Sequence, residues 1–233
     1  LVTHKEQILP VTELFYNLHT MTSKNPISSI SITPNTKYIT ENDVEYKSVI
    51  LYVKKKYLIA FKAVLNDFYT NYIVFFDDYK IIGCVGIKPF VGNKLLSEQY
   101  IDINILQDVN SIASEEIMPS EFAEVGNLTM NNNINIRYIL SILIYTLYQL
   151  NYKWCVLVTF DYIINACNKL NFKTFEIISA KKERLSSNSD WGIYYDKSPK
   201  LYYGDIFNSF HNLFSDNPDS LKNKYLTKDE YKR

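Results

Sequence analysis

Residues 121–179 alternate between two hydrophobic periods, and this alternation constrains the fold more than any other feature of the chain. Residues 121–129 read as a strand and 136–150 as a helix with Ile136, Ile139, Leu140, Leu143, Leu147 and Leu150 on one face. A strand at 154–159, a helix at 162–170 and a strand at 174–179 follow, so the order is βαβαβ. Parallel neighbours joined by right-handed crossovers are expected, at least for the first pair. The longest apolar stretch, 138–150, is closely bounded by Arg137 and Lys153. A bilayer span needs about 20 apolar residues, so this is a core helix and no membrane span is expected.

Upstream, 72–76 and 81–87 read as the arms of a hairpin turning at Asp77-Asp78-Tyr79-Lys80. Gly83 and Gly86 inside the second arm imply a bulge or a close backbone approach, and Pro89 ends it. Short strands are expected near 64–68 and at 98–103. A helix should begin after Asn42 or Asp43, either of which can cap it, and run through Val49, Ile50, Val53, Tyr57 and Leu58, with Lys54-Lys55-Lys56 as a solvated turn. Residues 1–42, with an amphipathic segment at 11–21 and a strand-like piece at 30–32, read as an extension packed on the core. Residues 43–215 form the main domain and 216–233 a polar tail. The expected class is α/β, a mixed twisted sheet flanked by helices.

Lys plus Arg and Asp plus Glu both total 25, so no basic excess points to nucleic acid. Cys84, Cys155 and Cys167 have no paired spacing, which argues against a disulfide framework or metal site and fits a reducing cytoplasm. No secretory leader, Ser-His-Asp set, HExxH, P-loop or dinucleotide pattern is expected.

Three ordered segments carry a specific signal: residues 95–102 (LLSEQYID), 124–129 (EVGNLT) and 191–199 (WGIYYDKSP). They resemble the blocks of the thermostable haemolysin family, a GNAT-like acyltransferase group related to acyl-homoserine-lactone synthases. Ile82-Gly83-Cys84-Val85-Gly86-Ile87-Lys88 and Tyr203-Gly204-Asp205 extend the likeness.

The resemblance implies a GNAT-like acyltransferase fold in which the strands at 124–129 and 154–159 splay, and a thioester donor's pantetheine binds the exposed strand edge. Its donor-binding residues map to Leu128, Thr129, Met130, Asn132, Asn133, Asn135, Arg137 and Thr159. The N–H near Leu128 would polarise the thioester carbonyl. The loop at 130–137 has no glycine, but its asparagines tolerate left-handed backbone and cap helices, so an anion nest remains open to it. Acyl-CoA or a phosphopantetheine-bound acyl donor, hence an acyl carrier protein as partner, is the implied cofactor, and no metal is.

Transfer to an amine of a small-molecule acceptor needs a base. Glu124 is the first candidate and Glu98, on a neighbouring strand, the second; Asn127 orients the acceptor or satisfies backbone at the split. Tyr100, Trp191, Tyr194 and Tyr195 are expected to line the acceptor pocket, although in a chain with 20 Tyr a plain core role is equally open to them. Where many of these enzymes carry an acid Tyr, this chain has Cys167. Two other functions stay open, a membrane-active cytolysin and a catalytically inactive GNAT-like binding module. Against the first, the sequence suggests no basic amphipathic helix.

Overall fold

The structure, a computed structural model, describes residues 35–90, 95–132, 134–186 and 189–214. Its sheet has seven strands in the order β1-β2-β3-β4-β5-β7-β6. These are β1 (Asn35–Thr40), β2 (Asn71–Asp77), β3 (Lys80–Pro89), β4 (Phe122–Met130), β5 (Trp154–Thr159), β6 (Lys173–Ser179) and β7 (Lys200–Asp205). Only β4 and β5 pair in parallel. The predicted βαβαβ order is present, but β7 returns antiparallel between β5 and β6. Because β1 pairs with β2, the sheet takes in residues expected to belong to the extension. The elements expected at 11–21 and 30–32, and the tail at 216–233, lie outside the described residues.

Alternation along β2 assigns the two faces. Tyr72 and Val74 join the cluster under helix α1 (Tyr46–Phe61), whereas Ile73 and Phe75 join the cluster under helix α3 (Ile136–Gln149). Every residue of α3 from Ile139 to Leu147 is buried, as a core helix requires. Asn135 caps α3 by accepting a hydrogen bond from the Arg137 N–H at 2.8 Å. After α3, Asn151 turns the chain into β5 with φ 61°, and Asn171 does the same after helix α4 (Asp161–Lys169) with φ 57°. Asparagine tolerates this left-handed region better than most side chains. Helix α5 (Ile206–Phe214) packs beside α3.

Three local expectations fail. Residues 98–103 form no strand: Ser97–Tyr100 is a 3-10 turn, followed by helix α2 (Ile105–Ile112), which Asn104 caps. At 64–68 only a bridge between Val64 and Asp190 survives. Asp43 does not cap α1; its carboxylate accepts from the N–H and hydroxyl of Thr40 at 2.7 and 2.8 Å, and Glu45 occupies the cap position without a side-chain bond.

Candidate active site

Strand β4 is paired differently on its two sides. Against β5 the parallel ladder runs from Phe122–Trp154 to Val125–Leu157 and stops, although β4 continues to Met130 and β5 to Thr159. The β4 edge from Gly126 onward therefore has no strand partner on the β5 side, which leaves polar backbone groups to be satisfied by something else. Against β3 pairing continues to Met130, with one register shift. There Val85 of β3 faces two residues of β4, Asn127 and Leu128, so β4 carries a bulge.

Asn127 is the pivot of this bulge, with φ 47° and a buried side chain. Its Oδ1 accepts a hydrogen bond from the Tyr72 hydroxyl at 2.7 Å, and its amide also interacts with the Tyr57 hydroxyl. The strand therefore bends away from β5 where a left-handed residue is tied to the face that α1 covers.

A cavity of about 340 Å³ opens beside the fork. Glu124, Asn127, Tyr100, Trp191, Tyr194 and Tyr195 line it, so six of the residues predicted from sequence meet here, from three separate parts of the chain. The structure adds Tyr57, Asp67, Phe68, Tyr69, Lys88, Gln99 and Ser186. Strand glycines were the available signal for Tyr69. A Cβ at Gly86 would lie 2.7 Å from the Tyr69 ring, and one at Gly126 would lie 2.1 Å from its hydroxyl. The close approach predicted at Gly86 is this phenol, laid across two strands.

The Glu124 carboxylate is buried, with Oε2 accepting from Leu96 N–H and Oε1 from Ser97 N–H, both at 2.9 Å. Burial pushes its pKa up from the ordinary carboxylate range, while these two donors and the nearby Lys88 charge pull it back. The carboxylate thereby holds the 3-10 turn against β4. Other bonds fasten the same turn to residues 184–186. Arg184 donates to the Tyr100 carbonyl at 3.0 Å and to both carboxylate oxygens of Asp102, and Gln99 Oε1 accepts from Ser186 N–H at 2.7 Å. Tyr100 and Tyr195 share a hydroxyl–hydroxyl hydrogen bond. Glu98 is placed differently from its expected strand position. It sits on the turn, accepts from Leu95 N–H at 2.7 Å, and is not among the cavity residues.

The Tyr194 hydroxyl donates to the Val158 carbonyl at 3.4 Å, reaching β5 one residue past the end of its ladder with β4. Burial pushes this phenol's pKa up, as it does for the other cavity tyrosines. Thr159 is buried at the end of β5. Thr129 is buried and shares a hydrogen bond with Cys84, and the Met130 carbonyl accepts from Lys56 at 3.1 Å. In the loop after β4, Asn131 accepts from the Tyr52 hydroxyl and Asn132 is exposed; Asn133 lies outside the described residues. Cys167 is buried in the α3 cluster, where burial pushes its thiol up to about 12. Among the described residues no group of His, Cys, Asp and Glu is arranged to hold a metal ion.

No curated protein matches the chain by sequence. Among solved structures, the acyl-homoserine-lactone synthase LasI aligns with a TM-score of 0.54 at 11% identity, over 79% of this chain and 96% of its own. The CoA-dependent acyl-homoserine lactone synthase BjaI, with SAM and isopentyl-CoA, aligns with a TM-score of 0.55 at 10% identity, over 79% and 89%. A GNAT-family acetyltransferase from Staphylococcus aureus aligns with a TM-score of 0.42 at 16% identity, over 73% and 99%. The fold is thus that of the acyl-homoserine-lactone synthases, a mixed twisted sheet flanked by helices. The model of the family described as thermostable hemolysin matches residues 39–210, and the chain belongs to that family.

Proposed function

We propose that the protein transfers an acyl group from a pantetheine thioester to the amine of a small-molecule acceptor. The observation that carries this reading is the fork: a parallel ladder that ends at Val125–Leu157 with a buried carboxylate and an aromatic-lined cavity beside it. The unpartnered edge of β4 supplies the N–H and C=O groups that an amide-bearing pantetheine arm can pair with. In this reading the N–H near Leu128 faces the thioester oxygen as it gains charge.

The acceptor amine occupies the cavity and Glu124 takes its proton. A carboxylate raised by burial is a stronger base than an exposed one, and its two backbone donors hold it in place. The tetrahedral intermediate then collapses, the C–S bond breaks, and the sulfur leaves with the electron pair. Tyr194, kept in its O–H form by burial, turns its hydroxyl from the Val158 carbonyl to give that sulfur a hydrogen bond at the fork, a part that the thiol of Cys167 in the α3 cluster does not take. Thr129, Met130, Asn132, Asn133, Asn135, Arg137 and Thr159 are assigned to the donor.

The donor is acyl-CoA or an acyl carrier protein. Thermal unfolding with acyl-CoAs and with acylated carrier protein tests the reading. A productive donor at a hundred times its Kd should stabilise the fold by about 2.7 kcal/mol. If no donor of either kind shifts the transition, acyl transfer is the wrong function.

A further inference from the structure

The outer face of α1 sets exposed apolar side chains among lysines. Residues 46–62 hold five lysines and no acidic residue, in a chain whose net charge is zero. The inner face buries Val49, Val53 and Tyr57. With about 3.6 residues per turn, Leu51 and Leu58 line up on the opposite side. Lys47 and Lys54 follow one flank of that line, and Lys55 and Lys62 follow the other. Leu51 is 67% exposed, Leu58 51% and the adjoining Ile59 63%. Lys54 rests over the Phe68 ring at 5.2 Å. Among the described residues no carboxylate pairs with Lys47, Lys55 or Lys62.

We propose that this face docks the protein onto an anionic lipid surface. The leucines would enter the headgroup boundary while the lysines extend their charges to lipid phosphates on both sides. The face is a convex crest with apolar side chains at its top and cations along its slopes. A deformable lipid surface can close around such a crest, whereas a protein partner would need a matching groove. The inference is independent of the acyl-transfer reading, since none of the exposed leucines and lysines it uses lines the cavity.

The full chain is sedimented with vesicles of phosphatidylcholine alone and of phosphatidylcholine mixed with phosphatidylglycerol, at low and at high salt. Binding is expected only to the mixed vesicles, and salt should weaken it. Each lysine at an anionic surface contributes about five-fold in partitioning, so Lys47→Glu, Lys55→Glu and Lys62→Glu combined should lower it by about 100-fold or more. Leu51→Ser with Leu58→Ser should weaken binding while leaving its salt dependence in place. Circular dichroism and donor-induced stabilisation should be unchanged in both variants, because these side chains are exposed. Equal binding to both vesicle types, or unchanged binding by the lysine variant, overturns the proposal. So does absence of vesicle binding together with lysine-dependent capture by an immobilised acidic carrier protein, which would make the partner a protein.

Discussion

The two halves of β4 are paired differently, the first with β3 and β5 and the second with β3 alone. Phe122–Val125 is an ordinary inner strand, buried and paired on both edges. Gly126–Met130 is paired on one edge only and departs through a bulge at a left-handed asparagine. Glu124 projects from the first half and Asn127 bends the second, so a rigid carboxylate stands next to an open edge. The site needs both halves: continuous pairing would close the fork, and a freely splayed strand would leave the carboxylate without a fixed position.

The largest expected effect separates the two carboxylates. Glu124→Gln should lower acyl transfer by roughly 100-fold or more, the scale for losing a general base. It should also cost about 1–3 kcal/mol, because a Gln amide can accept from only one of the Leu96 and Ser97 N–H groups and turns a donor towards the other. Glu98→Gln should do neither, since Gln can still accept from Leu95 N–H. Steady-state rates and urea unfolding of both variants decide the ranking; equal rates for both would remove Glu124 from the chemistry.

The same carboxylate predicts a pH dependence. Its folded pKa is raised, so its contribution to stability is full below the ordinary glutamate value and is lost as pH rises through the raised one. Activity runs the opposite way, because the base must be ionised. The acidic limb of the rate profile should lie above the ordinary glutamate range and vanish in Glu124→Gln.

A smaller effect probes the glycine pair that lets Tyr69 lie across the strands. Gly86→Ala places a methyl against the base of the Tyr69 ring, whose backbone is fixed by the Tyr46 hydroxyl at 2.6 Å. Overpacking of this kind costs about 1–3 kcal/mol. Most of that cost should disappear in a Tyr69→Ala background, which a double-mutant cycle measures. Additive costs would mean that Tyr69 is not what the glycine accommodates.

Asn127→Gly should keep the left-handed backbone but leave the Tyr72 hydroxyl without its acceptor, at about 1 kcal/mol. Asn127→Ala should cost roughly 1 kcal/mol more, from the added left-handed strain. If the two variants are equally stable, the bulge does not depend on that conformation. The smallest effect is expected at Arg184→Ala, whose pairing with Asp102 is exposed and screened by solvent, so its urea-unfolding midpoint should barely move.

The sequence by itself determined the elements whose signals are local. Apolar period and length placed β4, β5 and α3 to within a residue or so of their observed ends, because each buries a repeating face. Ordered motifs named Glu124, Asn127, Tyr100, Trp191, Tyr194 and Tyr195, which share one cavity. What depended on partners distant in the chain was decided only by the tertiary structure. Residues 98–103 read as a strand, yet 97–100 form a turn whose Ser97 N–H is held by the carboxylate of Glu124, 27 positions away. Insertion of β7 between β5 and β6, and arrival of Tyr57, Tyr69 and Lys88 at the cavity, depend equally on long-range pairing. Local periodicity records which face a residue shows to the core, but not which distant segment covers it, since that is settled only when several elements compete to bury the same surface.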